Sequence, residues 1–163
     1  MLKIKSFMFA VLLTISTGCE AQDTYKPLMV EAVLEGTNGQ QIPLNLEVMQ
    51  NLTDRTKGMM FRKNLEEGFG MLFVWPEAKE RVFWMRNTYI SLDMVFVHGE
   101  QIVGLVENAT PLTDTPRAPK PNKAANKVIE LPGGYIAKHH ITTAWKLKLK
   151  DASKLNPLAD SAQ

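Results

Sequence analysis

The sequence contains a single cysteine, Cys19, so the chain cannot form an internal disulfide bond. It also lacks an apolar run of about 20 residues, the length that a membrane-spanning helix needs. There is no Gly-x-Ser-x-Gly nucleophile elbow, no phosphate-binding glycine loop, and no His-x-x-x-His or paired-cysteine spacing. These absences argue against serine hydrolases of the elbow type, P-loop nucleotide hydrolases and zinc centres built on those spacings.

An excess of charge is also missing from the body of the chain. The whole sequence has 19 basic and 17 acidic side chains, a formal charge of +2. Lys3 and Lys5 account for the excess, because residues 1–18 contain no acidic side chain. A body without a net positive field argues against nucleic acid as a partner.

Residues 1–18 have the layout of an export signal. Lys3 and Lys5 precede an apolar run, and small residues then lead to Cys19. This segment resembles a bacterial lipoprotein signal, whose removal leaves the cysteine as a lipid-modified N-terminus. The alternative is cleavage by an ordinary signal peptidase after Ala21. With lipid on Cys19, we expect the protein to be anchored to a membrane, facing the periplasm or the cell exterior.

The rest of the chain is expected to form one domain with short appendages. Residues 19–27 are polar and predict a tether, residues 28–149 a single β-rich domain, and residues 150–163 a flexible tail. At 45% hydrophobic residues, the chain can bury a substantial core without disulfides.

Alternating apolar and polar residues predict short strands joined by tight turns such as Asn38-Gly39. A short helix is expected within Asn51–Lys63, and one or two helical turns at Tyr135–His140. The fold class that follows is mainly β: a compact antiparallel β-sandwich or barrel-like domain with one short helix. The predicted strands are Leu28–Glu35, Gln40–Met49, Met71–Trp75, Arg81–Asn87, Ser91–His98, Ile102–Val106, Lys127–Leu131 and Thr143–Leu149.

The stretch Phe83–Val97 combines an aromatic strand, a polar corner and an apolar strand interrupted by Asp93. A carboxylate on an apolar strand face must find hydrogen-bond donors, because a buried unpaired charge costs several kcal/mol. Asp93 is therefore expected either to brace a corner or to take part in a polar site. The candidate donors are Arg86, Asn87, Thr88, Arg55 and Arg62, and the last two share a face if the helix continues for two turns.

The middle of the chain resembles the prokaryotic domain-of-unknown-function family 192. The matching blocks are Thr53–Arg62, Gly70–Val74, Phe83–Thr88, Leu92–Phe96 and Val128–Gly134. Ser91 departs from the family's usual proline, and Thr142-Thr143 replaces its Gly-Asp pair. The resemblance implies a mainly β fold that is often exported, and it implies no particular reaction.

The function expected from these features is that of a non-enzymatic envelope module that binds an anionic small molecule, a polymer or a partner protein. One alternative is an envelope enzyme acting on carbohydrate or wall material, with Asp93 as acid or base and Glu107 or Glu130 as a second carboxylate. Another is a Cu(I) site made of methionines, although their apolar surroundings favour core packing. No cofactor and no metal are predicted. The candidate binding residues are Arg55, Arg62, Trp84, Arg86, Asn87 and Asp93, and Cys19 is the lipidation site.

A proline-rich stretch, Asn108–Asn126, is expected to be a loop. Two interpretations remain open for it: a lid over Arg86 and Asp93, or a solvated connector.

Overall fold

The computed structural model describes residues 26–157, so the predicted signal segment, the predicted lipidation site Cys19 and the last six residues lie outside the described part. Seven strands close into a barrel in the order β1-β2-β3-β6-β4-β5-β7. The strands are β1 Met29–Glu35, β2 Gln41–Met49, β3 Phe69–Lys79, β4 Leu92–His98, β5 Gln101–Ala109, β6 Ala125–Pro132 and β7 Lys146–Leu149. The helices are α1 Leu52–Lys57 and α2 Tyr135–His139, and a 3₁₀ turn follows at Ala152–Lys154.

The mainly β, barrel-like fold is confirmed. Neighbouring strands are antiparallel except for β2 and β3, which run parallel. A parallel pair needs a crossover, and the stretch from α1 to β3 supplies it. Within residues 26–157 two short α-helices form rather than one, and no helix there has the length and apolar character to cross a bilayer.

The predicted strand Arg81–Asn87 is wrong. Within this segment, the only strand-like pairing is an isolated bridge between Phe83 and Arg117. Asn87 adopts a left-handed conformation with φ of 55°, which turns the chain away from an extended path. The segment instead lies outside the barrel, where the Phe83 ring packs edge-to-face on Phe73 and Phe96 of β3 and β4.

The barrel separates two hydrophobic cores. Alternate residues of each strand point into the barrel or outward, as the two-residue period of a strand requires. On β4, Val95 and Val97 belong to the inner core, whereas Met94 and Phe96 belong to an outer core. Residues 83–88, which we call the covering segment, pack over this outer core through Phe83 and Met85. This explains why β4 is apolar on both faces.

The loop between β5 and β6 pairs with the covering segment. Backbone N–H groups of Phe83 and Met85 donate to the carbonyls of Arg117 and Thr113, at 2.9 and 3.1 Å. The chain at 110–124 is thus an ordered partner of residues 83–88. It holds that segment against the barrel and contributes none of the hydrogen bonds that Asp93 accepts.

The same loop packs closely on β5. A Cβ added to Gly104 would lie 2.4 Å from Cγ of Pro119. We expect Gly104→Ala to lower the free energy of unfolding by about 1–3 kcal/mol, because overpacking displaces the loop. Urea unfolding measures this loss, and the double variant Gly104→Ala/Pro119→Gly should recover part of it. Full stability in Gly104→Ala would contradict this packing.

Candidate ligand-binding groove

Asp93 is completely buried and its carboxylate is held by three backbone amides. Its Oδ1 accepts hydrogen bonds from the N–H groups of Asn108, at 2.8 Å, and Gly134, at 3.1 Å. Its Oδ2 accepts from the N–H of Ile136, at 2.7 Å, in the first turn of α2. Asp93 therefore ties β4 to the end of β5 and to α2.

The side chains predicted to pair with Asp93 are not its donors. Asp93 shares the inward face of β4, whereas Arg86 and Asn87 are exposed on the covering segment. Thr88 is buried, but its hydroxyl donates to the carbonyl of Arg86 at 3.3 Å. Asn87 lies at the left-handed corner, with Nδ2 at 3.9 Å from the sulfur of Met60.

A groove of about 560 Å³ lies outside the barrel, between α1 and the covering segment. Among the candidate residues it brings together Arg55, Trp84 and Arg86, and it does not include Arg62, Asn87 or Asp93. Its walls also contain Trp75 and Arg81, which the sequence did not single out, and Glu130 lies at its base.

An aromatic wall orients two of the arginines. The Trp75 ring packs against Phe73 and, edge-to-face, against Phe83. The guanidinium carbon of Arg81 lies 4.2 Å from the centre of the Trp75 ring, and that of Arg55 lies 5.5 Å from it. Such contacts between cations and aromatic faces fix the guanidiniums near the ring at little entropic cost.

Each of these two arginines donates hydrogen bonds to backbone carbonyl groups. Arg55 donates through Nη1 to the carbonyl of Val74 at 2.9 Å. Arg81 donates through Nη2 to the carbonyl of Glu77 at 2.8 Å, and through Nε to that of Ala125 at 3.2 Å. Both arginines therefore help to hold the aromatic wall in place, and they also place positive charge beside it.

Trp84 and Arg86 form the outer edge of the groove. Phe83 and Met85 turn inward, so the alternating side chains of Trp84 and Arg86 point outward and are 59% and 63% exposed. Nε of Arg86 donates to Oδ1 of Asp114 at 2.8 Å, and this ion pair raises the pKa of Arg86. An exposed pair of this kind is weak, so an anionic ligand can compete for the guanidinium.

Glu130 supplies a buried carboxyl group at the base of the groove. It is 4% exposed, with Met71 and Met94 as its partners on the two neighbouring strands. Within residues 26–157, its Oε2 has no hydrogen-bond partner. Burial raises its pKa to about 8, and the charge of Arg62 opposes this shift. Glu130 therefore carries its proton at neutral pH and can donate a hydrogen bond.

Arg62 does not share a helical face with Arg55. The helix α1 ends at Lys57, and Gly58 caps it with φ of 46°. A Cβ at Gly58 would lie 3.1 Å from the Phe73 ring, so the chain turns there against the outer core. Arg62 instead pairs with Glu47 of β2 at 2.5 Å.

The methionines of the outer core are buried. None is more than 3% exposed, and they surround Phe73 and Phe96, as gap-filling side chains do. They are Met49, Met59, Met71, Met85 and Met94. Within the described part of the chain, no group of three histidine, cysteine or acidic side chains is placed to hold a metal ion.

Known proteins resemble this chain in sequence and in fold. The solved structure of a proposed transcription regulator from Sinorhizobium meliloti is 25% identical, covers 80% of this chain and 98% of its own, and superposes with a TM-score of 0.74. A protein of unknown function from Novosphingobium aromaticivorans is 29% identical, covers 77% of this chain and 94% of its own, and has a TM-score of 0.68. Among curated proteins, none matches the chain. The model of family DUF192, described as "Uncharacterized ACR", matches residues 20–149. The chain therefore belongs to this family of uncharacterised domains.

Proposed function

We propose that this protein is an exported, lipid-anchored module that binds an organic anion in the groove, without catalysing a reaction. The observation that carries the proposal is the meeting of Arg55, Arg81 and Arg86 with Trp75 and Trp84 along one groove. Planar guanidiniums bind carboxylates and phosphates in two-point geometry, and exposed tryptophan faces stack on rings. The favoured ligand is an anion that carries a flat or ring-shaped body.

Glu130 adds a neutral donor to this cationic groove. A protonated carboxyl group can donate to an oxygen of the ligand, where an ionised one would repel the anion. The base of the groove can therefore accept negative charge at neutral pH, whereas Glu80 adds an exposed carboxyl group elsewhere in its lining.

The export and anchoring part of the proposal rests on residues 1–18 and Cys19. Metabolic labelling with a radioactive fatty acid should mark the wild-type protein and should not mark Cys19→Ala. Label that persists in Cys19→Ala would overturn the lipid anchor at this residue, and the proposal that the groove binds an anion would still stand.

Binding can be tested with a matched pair of probes, 1-naphthalenesulfonate and its uncharged counterpart 1-naphthol. We expect the sulfonate to bind more tightly, and Arg86→Gln to weaken the sulfonate roughly tenfold through loss of a charged hydrogen bond. Trp84→Ala should weaken both probes, also roughly tenfold, because stacking is lost. Isothermal titration calorimetry measures these affinities.

Lys146→Gln is the matched control, since it removes an exposed positive charge on β7, outside the groove. Equal affinity for the two probes, or equal weakening by Lys146→Gln and Arg86→Gln, would contradict the proposal.

A second candidate function is favoured by Glu130. If the protein is an enzyme on carbohydrate or wall material, its acid is Glu130 rather than Asp93, because Glu130 lies in the groove and holds a proton near neutral pH. Purified peptidoglycan incubated with the protein should then release soluble fragments, and Glu130→Gln should abolish their release. No release by the wild type would remove this candidate.

A further inference from the structure

We infer that an apolar rim beside the groove docks on the surface of an anionic phospholipid bilayer. We define the apolar rim as Phe61, Trp84, Tyr89 and Leu112. The inference rests on the proposed lipid anchor and adds a second, direct contact between the domain and the membrane.

The four side chains of the apolar rim are large and exposed, between 47% and 63%. The rings of Phe61 and Tyr89 are in edge contact, with centroids 6.3 Å apart. Leu112 joins them because its N–H donates to the carbonyl of Thr88, one residue from Tyr89, at 3.1 Å. Phe61, Tyr89 and Leu112 are thus gathered in one place, and Trp84 lies beside them along the groove that Thr88 also lines. Exposed apolar groups gathered in this way mark an interaction surface rather than chance exposure.

At two positions of the apolar rim the backbone adopts an unfavourable conformation. Phe61 and Leu112 have φ of 66° and 56°, in the left-handed region that bulky side chains rarely adopt. Phe61 is fixed there by its N–H, which donates to the carbonyl of Asn87 at 2.8 Å. Strain of this kind persists only where the surrounding structure enforces it, and it concentrates at functional surfaces.

Positive charge lies next to the apolar rim. Lys57 and Lys63 flank Phe61 in the sequence and are exposed, and Arg86 lies between Trp84 and Tyr89. Asp114 partly offsets Arg86 through their ion pair. Cations beside exposed aromatic residues suit a surface of anionic headgroups, where each Lys or Arg contributes about 1 kcal/mol.

The expected anchor attaches at the same end of the barrel. Met29, the first residue of β1, pairs with Glu47 near the end of β2, which continues directly into α1 at the groove. Residues 20–28 separate Cys19 from β1 and span at most about 30 Å when fully extended. A lipid on Cys19 would thus keep the apolar rim within roughly one domain diameter of the bilayer.

The composition of the apolar rim favours a membrane over a protein partner. Trp and Tyr prefer the interface between headgroups and acyl chains, and Phe and Leu prefer the acyl side of that boundary. Because the tether is short, the effective concentration of bilayer surface around the domain is high, so that even a weak affinity keeps the apolar rim docked.

Trp84 is a built-in probe for this contact. The chain has three tryptophans, and Trp75 and Trp145 are only 9% and 6% exposed. The full-length lipoprotein is reconstituted into vesicles that contain brominated phospholipids, which quench tryptophan fluorescence on contact. In phosphatidylglycerol-rich vesicles we expect the emission of Trp84 to be quenched. This emission is identified as the component that is missing from Trp84→Phe. In phosphatidylcholine vesicles this quenching should be much smaller.

Two variants distinguish docking through the apolar rim from nonspecific hydrophobic adsorption to the vesicles. Phe61→Ser/Leu112→Ser should reduce the quenching of Trp84, whereas Phe69→Ser should not. Phe69 is a matched control, since it is 41% exposed but lies at the opposite end of β3 from the groove. Thermal unfolding followed by circular dichroism confirms that each variant is folded.

Absence of quenching in anionic vesicles would overturn the inference, as would equal quenching in both vesicle types. If an envelope protein covers Trp84 and shields it from quenching by lipid, the inference would also be overturned in favour of a protein partner. Lipid labelling of Cys19 and binding of 1-naphthalenesulfonate are measured on the same preparation. If both are retained while quenching is absent, the docking inference fails and the proposed function stands.

Discussion

Replacing Asp93 with alanine is expected to lower the free energy of unfolding by about 4 kcal/mol or more. The substitution leaves one buried and two partly buried N–H groups without an acceptor, and each such group costs up to roughly 1–3 kcal/mol. Because domains of this kind are stable by only about 5–15 kcal/mol, the variant should lie close to unfolding at room temperature. Urea titration followed by tryptophan fluorescence measures the loss.

Two further variants make the Asp93 result interpretable. Asp93→Asn keeps one carbonyl oxygen, so we expect a smaller loss of stability and unchanged binding of 1-naphthalenesulfonate. Asp114→Ala removes an exposed carboxylate, and its effect on stability should stay within about 0.5 kcal/mol. An Asp93→Asn protein that is fully stable but no longer binds the sulfonate would contradict the bracing role.

Glu130→Gln is expected to change how stability depends on pH. Glu130 has a pKa of about 8 in the folded protein against 4.5 for an unperturbed side chain. Between these values the folded state keeps a proton that the unfolded state has lost. The contribution of Glu130 is therefore fully present below about pH 4.5 and is lost as pH rises to about 8, with a slope near 1.4 kcal/mol per pH unit.

The measurement is a series of urea titrations from pH 5 to pH 8. We expect the wild type to lose stability relative to Glu130→Gln across this window, so that the variant is the more stable protein at pH 8. The difference between the two proteins cancels the titration of the histidines, which they share. Glu66→Gln removes an exposed carboxyl group, and its free energy of unfolding should change with pH in the same way as that of the wild type. Parallel curves for wild type and Glu130→Gln would contradict a protonated buried Glu130.

The strands were predictable because their two-residue period and turn residues are local signals. β1, β2 and β4 begin within one residue of their predicted starts. The parallel pairing of β2 with β3 was not predictable, since nothing local reports which strands become neighbours after a crossover. The segment at Arg81–Asn87 has the composition of a strand, but the barrel closes without it and Phe83 packs on the outer core instead.

The candidate site was predicted in part. Trp84, Arg86 and Arg55 reach one groove, yet Asp93, the sharpest feature of the sequence, is satisfied by backbone amides that no sequence pattern identifies. The sequence indicates Glu130 only as one of two possible second carboxylates. The one sequence feature that points to Glu130 is that this carboxyl residue shares a strand face with Val128, which is buried. Its position beneath the groove depends on how the outer core packs.

In the proposed function, the groove at Trp84 and Arg86 binds the ligand, while Asp93 braces the barrel. The most direct measurement is the NMR signal of the three tryptophan indole N–H groups during titration with 1-naphthalenesulfonate. We expect the Trp84 signal to shift, with a smaller shift for Trp75, while the signal of Trp145, inside the barrel, stays unchanged. A shift of Trp145 that equals that of Trp84, or no shift of Trp84 at saturating probe, would contradict the proposed function.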